Sequence, residues 1–178
     1  MTLFIAVFGK KKSGKTKTIE TLIKELKGNL RIAVVKNVHH EDFTIDKPGK
    51  DSWRFTEAGA KKVLLVSPKE VVEIEKVEQR YSRDKILSRF REDSFDIVFL
   101  EGFYDIFSKD SKVEKMIVGL KEEEILELLK GCEGNVLACI ITSNKETVKS
   151  LGSIPIYNLM KDKGKVIEDI MSLIKKIN

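Results

Sequence analysis

Residues 9–16 read Gly-Lys-Lys-Lys-Ser-Gly-Lys-Thr and match the phosphate-binding pattern G-x-x-x-x-G-K-[ST] at every position. In this pattern, glycines let successive backbone N–H groups turn toward one anion, and the following helix directs its positive dipole end at the same place. Lys15 is placed to reach the β- and γ-phosphates of a nucleotide, and the Thr16 hydroxyl is placed to bind Mg²⁺. The chemistry predicted is the binding of a nucleoside triphosphate together with its metal.

The context of the pattern supports this interpretation. The apolar run from Leu3 to Phe8 precedes it, and a helical repeat of apolar residues follows it, with Ile19, Leu22, Ile23 and Leu26 at i, i+3, i+4 and i+7. Strand, glycine loop and helix are the order that a phosphate loop requires. Two alternatives stay open: a lysine-rich turn that matches by chance, and a loop that binds some other phosphate group.

The remaining residues of the segment add positive charge. Lys10, Lys11 and Lys12 are interpreted as solvated lysines that attract phosphates rather than as specific ligands. With Ser13 and Lys17 they complete the predicted cofactor-binding segment.

A carboxylate is expected at the same edge of the sheet. Ligands of open parallel sheets lie beyond the carboxyl ends of the strands, and the strand predicted over 95–100 delivers Glu101 there. Asp96 begins that strand, and five residues of strand put it roughly 16 Å away. Glu101 is therefore the predicted carboxylate on the magnesium side, acting directly or through a water. A salt-bridged or helix-capping Glu101 is the alternative.

Residues 39–52 form the one long stretch without regular periodicity, and long ordered loops are usually functional. The stretch begins with His39 and His40 and carries several charged residues. Because the chain has only two histidines and no cysteine lies nearby, a transition-metal site is disfavoured. Simple solvation of the charges stays open.

The elements that must position these residues alternate along the chain. Strands are predicted over 3–8, 31–38, 63–66, 95–100, 113–118, 136–141 and 154–157, and helices over 15–27, 52–59, 79–91, 121–130, 144–150 and 163–176. Residues 71–77 fit either an edge strand or the start of a helix. Such alternation predicts a single α/β domain over residues 1–178, with a mostly parallel central sheet flanked by helices in three layers.

Composition excludes several classes of protein. The 178 residues carry a net charge of +5, which suits an anionic small molecule and gives thin support to nucleic-acid binding. No apolar stretch approaches the length of a membrane span, and Cys132 and Cys139 are expected to be a reduced pair. The N-terminus is interpreted as a core strand rather than a signal peptide. A cytoplasmic location is therefore expected.

The guanine-reading pattern N-K-x-D is incomplete in this chain. Residues 144–147 read Asn-Lys-Glu-Thr after a predicted strand, so the aspartate that accepts from the ring N–H and the amino group of guanine is absent. Guanine preference therefore does not follow from the residues alone.

The run from Asp46 to Arg54, Asp-Lys-Pro-Gly-Lys-Asp-Ser-Trp-Arg, resembles a signature of the molybdopterin-guanine dinucleotide biosynthesis protein B (MobB) family. The similarity extends to the phosphate loop, the His39-His40 pair, the segment Glu101-Gly102-Phe103 and the closing segment 154–159. The lysines Lys10, Lys11 and Lys12 of the phosphate loop occupy positions where small residues are more usual in the family. The D-K-P-G-K-D-S stretch is the most specific of these features.

This resemblance implies a P-loop NTPase fold and a protein that binds GTP with Mg²⁺ and hydrolyses it weakly. It also implies a homodimer that assists the guanylyltransferase of the MobA type, which attaches GMP to molybdopterin. Carried over residue by residue, Gly9, Gly14, Lys15 and Thr16 cradle phosphates and metal, and Glu101 serves the metal. Asp46, Lys50, Asp51 and Arg54 belong to the family loop near the nucleotide or the pterin, with Arg54 as a candidate catalytic cation beside Lys15 and Glu101.

Two other functions stay open. A small-molecule or nucleotide kinase using ATP would need a lid of arginines, and Arg80, Arg83, Arg89 and Arg91 lie on one predicted helix. A non-catalytic adaptor would use the nucleotide only to order a surface for a partner protein.

Overall fold

The computed structural model describes residues 1–40, 42–90, 95–143 and 149–177. The chain forms two compact units, the first of Met1–Asn37 with Ser82–Asn178 and the second of Val38–Tyr81. The expectation of one nucleotide-binding domain over residues 1–178 stays a prediction.

The strands of the described residues are β1 (Leu3–Phe8), β2 (Ile32–Lys36), β3 (Lys62–Val66), β4 (Val71–Glu75), β5 (Ile97–Glu101), β6 (Glu114–Gly119), β7 (Val136–Ile141), β8 (Ser150–Leu151) and β9 (Ile154–Asn158). The helices are α1 (Lys15–Leu26), α2 (Asp51–Glu57), α3 (Arg83–Ser88), α4 (Tyr104–Phe107), α5 (Glu122–Leu129) and α6 (Lys163–Ile177).

The first unit is built on a seven-stranded sheet in the order β2-β5-β1-β6-β7-β9-β8. Every neighbouring pair from β2 to β9 is parallel, and only β8 runs antiparallel. The carboxyl ends of β1, β2, β5, β6, β7 and β9 therefore meet at one edge, with β1 between β5 and β6. This edge is where the parallel-sheet rule places a ligand.

Apolar side chains cover both faces of this sheet. On one face, α1 and α6 pack their buried stripes, including Leu22 and Ile170, against Ile5 and Phe99. On the other face, α5 buries Ile125 in a cluster that includes Ile117, Cys139 and Ile156. Central strands buried on both sides read as continuous apolar runs, which is why the sequence predicted them. The predicted three-layer α/β fold is confirmed.

The predicted helix 144–150 is wrong at its carboxyl end. Ser150 and Leu151 form β8, which pairs antiparallel with β9 across a two-residue turn in which Gly152 has φ of +60°. Glycine at the first central position of such a turn favours a hairpin. Residues 144–148 lie outside the described ranges.

Other element boundaries also differ from the predictions. The helix predicted over 79–91 is limited to α3, which begins after Ser82, whose hydroxyl accepts from the Lys85 N–H at 3.4 Å. The helix α4 was not predicted at all. The unsettled segment 71–77 is a strand, β4, paired antiparallel with β3.

The second unit contains α2 and the two-stranded sheet β3–β4. Helix α2 packs against β3. In the ranges that the structure describes, no helix has the length and apolar character that crossing a membrane requires.

Candidate functional site

The loop between β1 and α1 has a shape that only glycine permits at two positions. A Cβ atom on Gly9 would lie 2.3 Å from the Ser13 Oγ and 2.4 Å from the Val118 carbonyl oxygen. Gly14 has φ of +96°, and a Cβ there would lie 2.7 Å from the Thr142 Cγ2. At these two glycines the loop therefore packs closely against the ends of β6 and β7, which fixes the shape of its backbone.

The backbone N–H groups in the first turn of α1 are available to bind an anion. No side chain caps the helix, whose N-cap is Gly14, and no acidic residue lies in its first turn. The Ser13 hydroxyl is buried and has no hydrogen-bond partner among the described residues. Unpaired N–H groups at a helix start, with the helix dipole behind them, bind anions. The residues present therefore fit a nucleotide phosphate.

The Lys15 ammonium is folded back onto the loop. Its Nζ donates to the carbonyl oxygens of Gly9 and Lys10, at 2.8 Å in both cases. Burial lowers the pKa of Lys15, with a further lowering from Lys36, while the charge of Glu101 opposes both effects. A bound phosphate would supply the negative charge that this partly desolvated ammonium lacks.

Glu101 ends β5 at the same edge, as predicted. Its Oε1 accepts a hydrogen bond from the Thr16 hydroxyl at 2.9 Å, across 85 residues of sequence. Asp96 lies before β5 at the opposite end, where it accepts the Arg31 N–H at 2.7 Å. The choice of Glu101 over Asp96 is therefore consistent with the fold.

The chain turns sharply after Glu101. Gly102 and Phe103 both adopt positive φ, at +87° and +61°, before α4 begins. The Gly102 N–H bonds to the Val7 carbonyl, and the Asn37 N–H bonds to the Glu101 carbonyl, both at 3.0 Å. These backbone bonds fix the end of β5 between β1 and β2, so that the Glu101 carboxylate faces the phosphate loop.

The pair of Thr16 and Glu101 fits Mg²⁺ bound together with a nucleotide. Within the described ranges, no group of three or more His, Cys, Asp or Glu residues could hold a metal ion by itself. Magnesium in nucleotide sites keeps several waters and takes only one or two protein oxygens beside the phosphates. A hydroxyl and a carboxylate already in contact meet that need.

Among the other lysines of this segment, Lys10 has an ion-pair partner. Lys10 forms an ion pair of 2.5 Å with Glu127 on α5, and this hydrogen bond raises the pKa of Lys10. Lys11, Lys12 and Lys17 are exposed. Together with Ser13, Gly14, Lys15, Thr16 and Glu101, these three line a cavity of about 390 Å³.

Two contacts of the site were missed by the sequence analysis. Lys36, the last residue of β2, lies 3.3 Å from the Glu101 Oε1. The Thr142 hydroxyl donates to the Ser13 carbonyl at 2.7 Å and so ties the loop to the end of β7. Both contacts join residues far apart in sequence, and nothing local distinguishes either side chain.

The other predicted site residues, Asp46, Lys50, Asp51 and Arg54, belong to the second unit. Asp46 is buried there; its Oδ1 accepts from the Ser52 hydroxyl at 2.7 Å, and its Oδ2 has no partner among the described residues. Lys50 is the N-cap residue of α2, and Arg54 forms an exposed ion pair of 3.7 Å with Asp51. Their assignment to the nucleotide site stays a prediction.

For the histidine pair and the guanine pattern, a role in the site stays a prediction. His39 and His40 are exposed. Residues 144–147, which carry the incomplete guanine pattern, lie outside the described residues.

Of the four arginines considered for a kinase lid, Arg83 is held by neighbouring carboxylates. Arg83 donates to both oxygens of Asp110 and also to Asp84, so this guanidinium is occupied within the first unit. Arg89 follows α3, and Arg91 lies outside the described ranges. The geometry of Arg83 gives the kinase alternative no support.

Comparisons with known sequences identify one family. A family model described as molybdopterin guanine dinucleotide synthesis protein B matches residues 4–142. A molybdopterin-guanine dinucleotide biosynthesis adapter protein of Haemophilus influenzae is 33% identical over 135 residues, which cover 75% of this chain and 71% of that protein. A putative adapter protein of the same description from Methanocaldococcus jannaschii is 34% identical over 125 residues, 70% of this chain and half of that protein.

Solved structures agree with the sequence comparison. A crystal structure described as molybdopterin-guanine biosynthesis protein B aligns with a TM-score of 0.68 and 26% identity, covering 97% of this chain and 99% of the other. The structure of Bacillus subtilis MobB aligns with a TM-score of 0.73 and 20% identity over 96% of both chains. The second likeness concerns the fold alone.

Proposed function

Because the chain belongs to the molybdopterin guanine dinucleotide synthesis protein B family, we propose that it acts in molybdenum cofactor biosynthesis as an adapter that binds GTP with Mg²⁺. The observation that carries the nucleotide part is the convergence of Lys15, Thr16 and Glu101 on a glycine loop whose helix start is uncapped. Each of these groups is complementary to a triphosphate or its metal.

Binding exchanges internal partners for phosphate and metal. The Lys15 ammonium leaves the carbonyl oxygens of Gly9 and Lys10, to which it now donates, and moves to the β- and γ-phosphates. The Thr16 hydroxyl, which donates to the Glu101 carboxylate, would bind the metal through its oxygen. Thr16 and Glu101 would hold Mg²⁺, which would supply positive charge to neutralise the phosphates. Every protein group needed for these exchanges lies in the first unit.

Hydrolysis is proposed to be slow. Catalysis of phosphoryl transfer depends on a group that orients water and on a cation that stabilises the transition state. Arg54 is the proposed cation, and its exposed ion pair with Asp51 is weak enough to be exchanged. Slow turnover suits a protein that positions a nucleotide for a second enzyme, here proposed to be the molybdopterin guanylyltransferase, with molybdopterin as a possible further ligand.

A homodimer is also proposed, with the β3–β4 sheet as its contact surface. One face of this sheet carries Leu64, Val66 and Val71, which are 55%, 72% and 62% exposed. The ion-paired Lys62, Glu73 and Glu75 lie beside them on the same face. These residues share a face because Val66 pairs with Val71 and side chains alternate along a strand. Burial of Leu64, Val66 and Val71 against a second copy would remove their apolar surface from water, which is favourable.

The test of the proposed function is a binding comparison of GTP with ATP, each with and without Mg²⁺. We expect saturable binding that Mg²⁺ strengthens and that favours GTP. Stronger binding of ATP would favour the kinase alternative, and a screen for ATP-dependent phosphorylation of metabolites would follow.

A second measurement separates the adapter that hydrolyses GTP from the one that only carries it. Phosphate release is followed with and without the guanylyltransferase. Slow release is expected in both cases; binding without any release would assign the nucleotide a purely structural role.

A further inference from the structure

Lys36 and Glu101 face each other across two neighbouring strands. They are register partners at the carboxyl ends of β2 and β5, which are parallel. The Lys36 Nζ lies 3.3 Å from Oε1 and 3.4 Å from Oε2 of the carboxylate. Contact with both oxygens at these lengths describes an ion pair without one strongly directed hydrogen bond.

The two partners differ in their freedom to move. The Glu101 side chain is 11% exposed and is also held by the Thr16 hydroxyl. The Lys36 side chain is 58% exposed and carries its charge on a flexible four-carbon stem. The carboxylate is therefore fixed, and the ammonium is the partner that can leave.

The net charge of the site would favour departure of the Lys36 ammonium from Glu101 when a metal binds. Lys15, Lys36 and Glu101 lie together, and in their ordinary ionisation states they sum to one positive charge. A divalent cation at Glu101 would raise this sum to three and would claim the oxygens that Lys36 now contacts.

We propose that Lys36 is a positioning residue that neutralises Glu101 in the metal-free site and is released from the carboxylate when metal binds there. This inference rests on the proposed function, because it assigns Lys36 a role within the same nucleotide site. Its consequence is that Lys36 competes with Mg²⁺ for Glu101.

The test measures nucleotide binding rather than turnover. Binding of a fluorescent GTP analogue is titrated with Mg²⁺ for the wild type, Lys36→Gln, Lys36→Arg and the control Lys24→Gln. Lys24 is an exposed lysine of α1 and is given no role in the site, so its substitution removes the same charge from the same unit. Lys36→Arg keeps the charge.

Lys36→Gln is expected to strengthen Mg²⁺ binding and to weaken binding of the analogue without metal. The Mg²⁺ midpoint should fall by about two- to fivefold, the value of one exposed ion pair. Affinity for the analogue in EDTA should also fall, by about tenfold, because an unneutralised carboxylate then faces the phosphates. Lys36→Arg should restore the wild-type midpoint. General loss of structure would weaken binding and could not lower the Mg²⁺ midpoint.

Two failures are distinguishable. If the wild type binds the analogue and Lys15→Ala does not, but Lys36→Gln has the same Mg²⁺ midpoint as Lys24→Gln or a higher one, the inference about Lys36 is wrong and the proposed function stands. If the wild type binds no analogue, or if Lys15→Ala binds it unchanged, both are wrong.

Discussion

Gly14 and Thr142 pack closely together and fix the shape of the phosphate loop. Gly14 adopts φ of +96°, and its missing side chain leaves room for the Thr142 methyl group, 2.7 Å from where a Cβ would lie. The Thr142 hydroxyl meanwhile holds the Ser13 carbonyl. One residue at the end of β7 thus fixes the loop by shape and by a hydrogen bond.

Gly14→Ala should destabilise the protein by about 2–4 kcal/mol, because left-handed backbone costs an L-residue about 1–2 kcal/mol and overpacking adds a similar amount. Denaturant unfolding measures the change. Gly28→Ala is the matched control, since a Cβ at Gly28 meets nothing within 4 Å; an equal loss in both variants would contradict the account.

Thr142→Val keeps the shape of the side chain and removes the hydroxyl that bonds to Ser13. We expect a loss of about 1 kcal/mol in stability and roughly fivefold weaker GTP binding, because the loop loses its tie to β7. Calorimetric titration measures the affinity, and Thr142→Ser should restore most of it. Wild-type affinity in Thr142→Val would show that the bond does not position the loop.

Sequence reasoning reached Lys15, Thr16 and Glu101 because a local pattern marks the first two and a general rule about strand ends marks the third. Lys36 escaped it because the predicted second strand ran to residue 38, two residues beyond the end of β2. Had the strand been ended at Lys36, the same rule would have placed this lysine at the same edge of the sheet as Glu101. The pairing register between two strands that are 65 residues apart cannot be inferred from the sequence of either strand.

At the level of elements, the terminal hairpin and the last helix are joined by one polar contact. The Tyr157 hydroxyl on β9 donates to the Asp169 Oδ2 on α6 at 2.8 Å. Burial and this carboxylate raise the pKa of Tyr157 to about 12. The contact therefore depends on the phenol keeping its proton.

This contact predicts a pH dependence. Between pH 10 and about 12 the unfolded chain loses the Tyr157 proton first, so the folded state binds more protons and the free energy of unfolding falls as pH rises. Denaturant unfolding of wild type and Tyr157→Phe from pH 9 to 11.5 measures the difference. We expect a shallower decline for Tyr157→Phe; parallel curves would contradict the assignment.

The central strands and long helices could be predicted because apolar periodicity is strong in them. The segment 144–150 was misread because its terminal residues Ser150 and Leu151 follow no strand pattern of their own. They are a strand only because Gly152 turns the chain back onto Ile154 and Pro155. Short elements such as β8 and α4 are set by turns and tertiary contacts, which local propensity does not contain.

For the whole molecule, the family assignment and the first unit support each other. The family model extends over residues 4–142, which include the phosphate loop, Glu101 and the D-K-P-G-K-D-S stretch that the sequence analysis singled out. The second unit, Val38–Tyr81, carries that stretch together with the β3–β4 sheet. Its exposed apolar face is the surface that we expect a second copy to cover.

Val66→Lys should convert the proposed dimer into a monomer, because an ammonium buried beside Leu64 and Val71 loses its hydration, and the nearby Glu73 is already paired with Lys62. Light scattering coupled to size exclusion gives the mass directly. Lys69→Glu, in the exposed turn between β3 and β4, changes charge without touching the apolar face and should stay dimeric. A monomeric wild type, or a dimeric Val66→Lys, would contradict this surface.

The central claim is that the turn from Phe8 to Thr16 holds the phosphates of a nucleotide. A crystal structure with Mg²⁺ and a non-hydrolysable GTP analogue tests it most directly. We predict phosphate oxygens at about 3 Å from the backbone nitrogens of Gly14 and Lys15, with the Lys15 ammonium moved from the Gly9 and Lys10 carbonyls to the phosphates. An analogue bound elsewhere, with Lys15 still on those two carbonyls, would contradict the account.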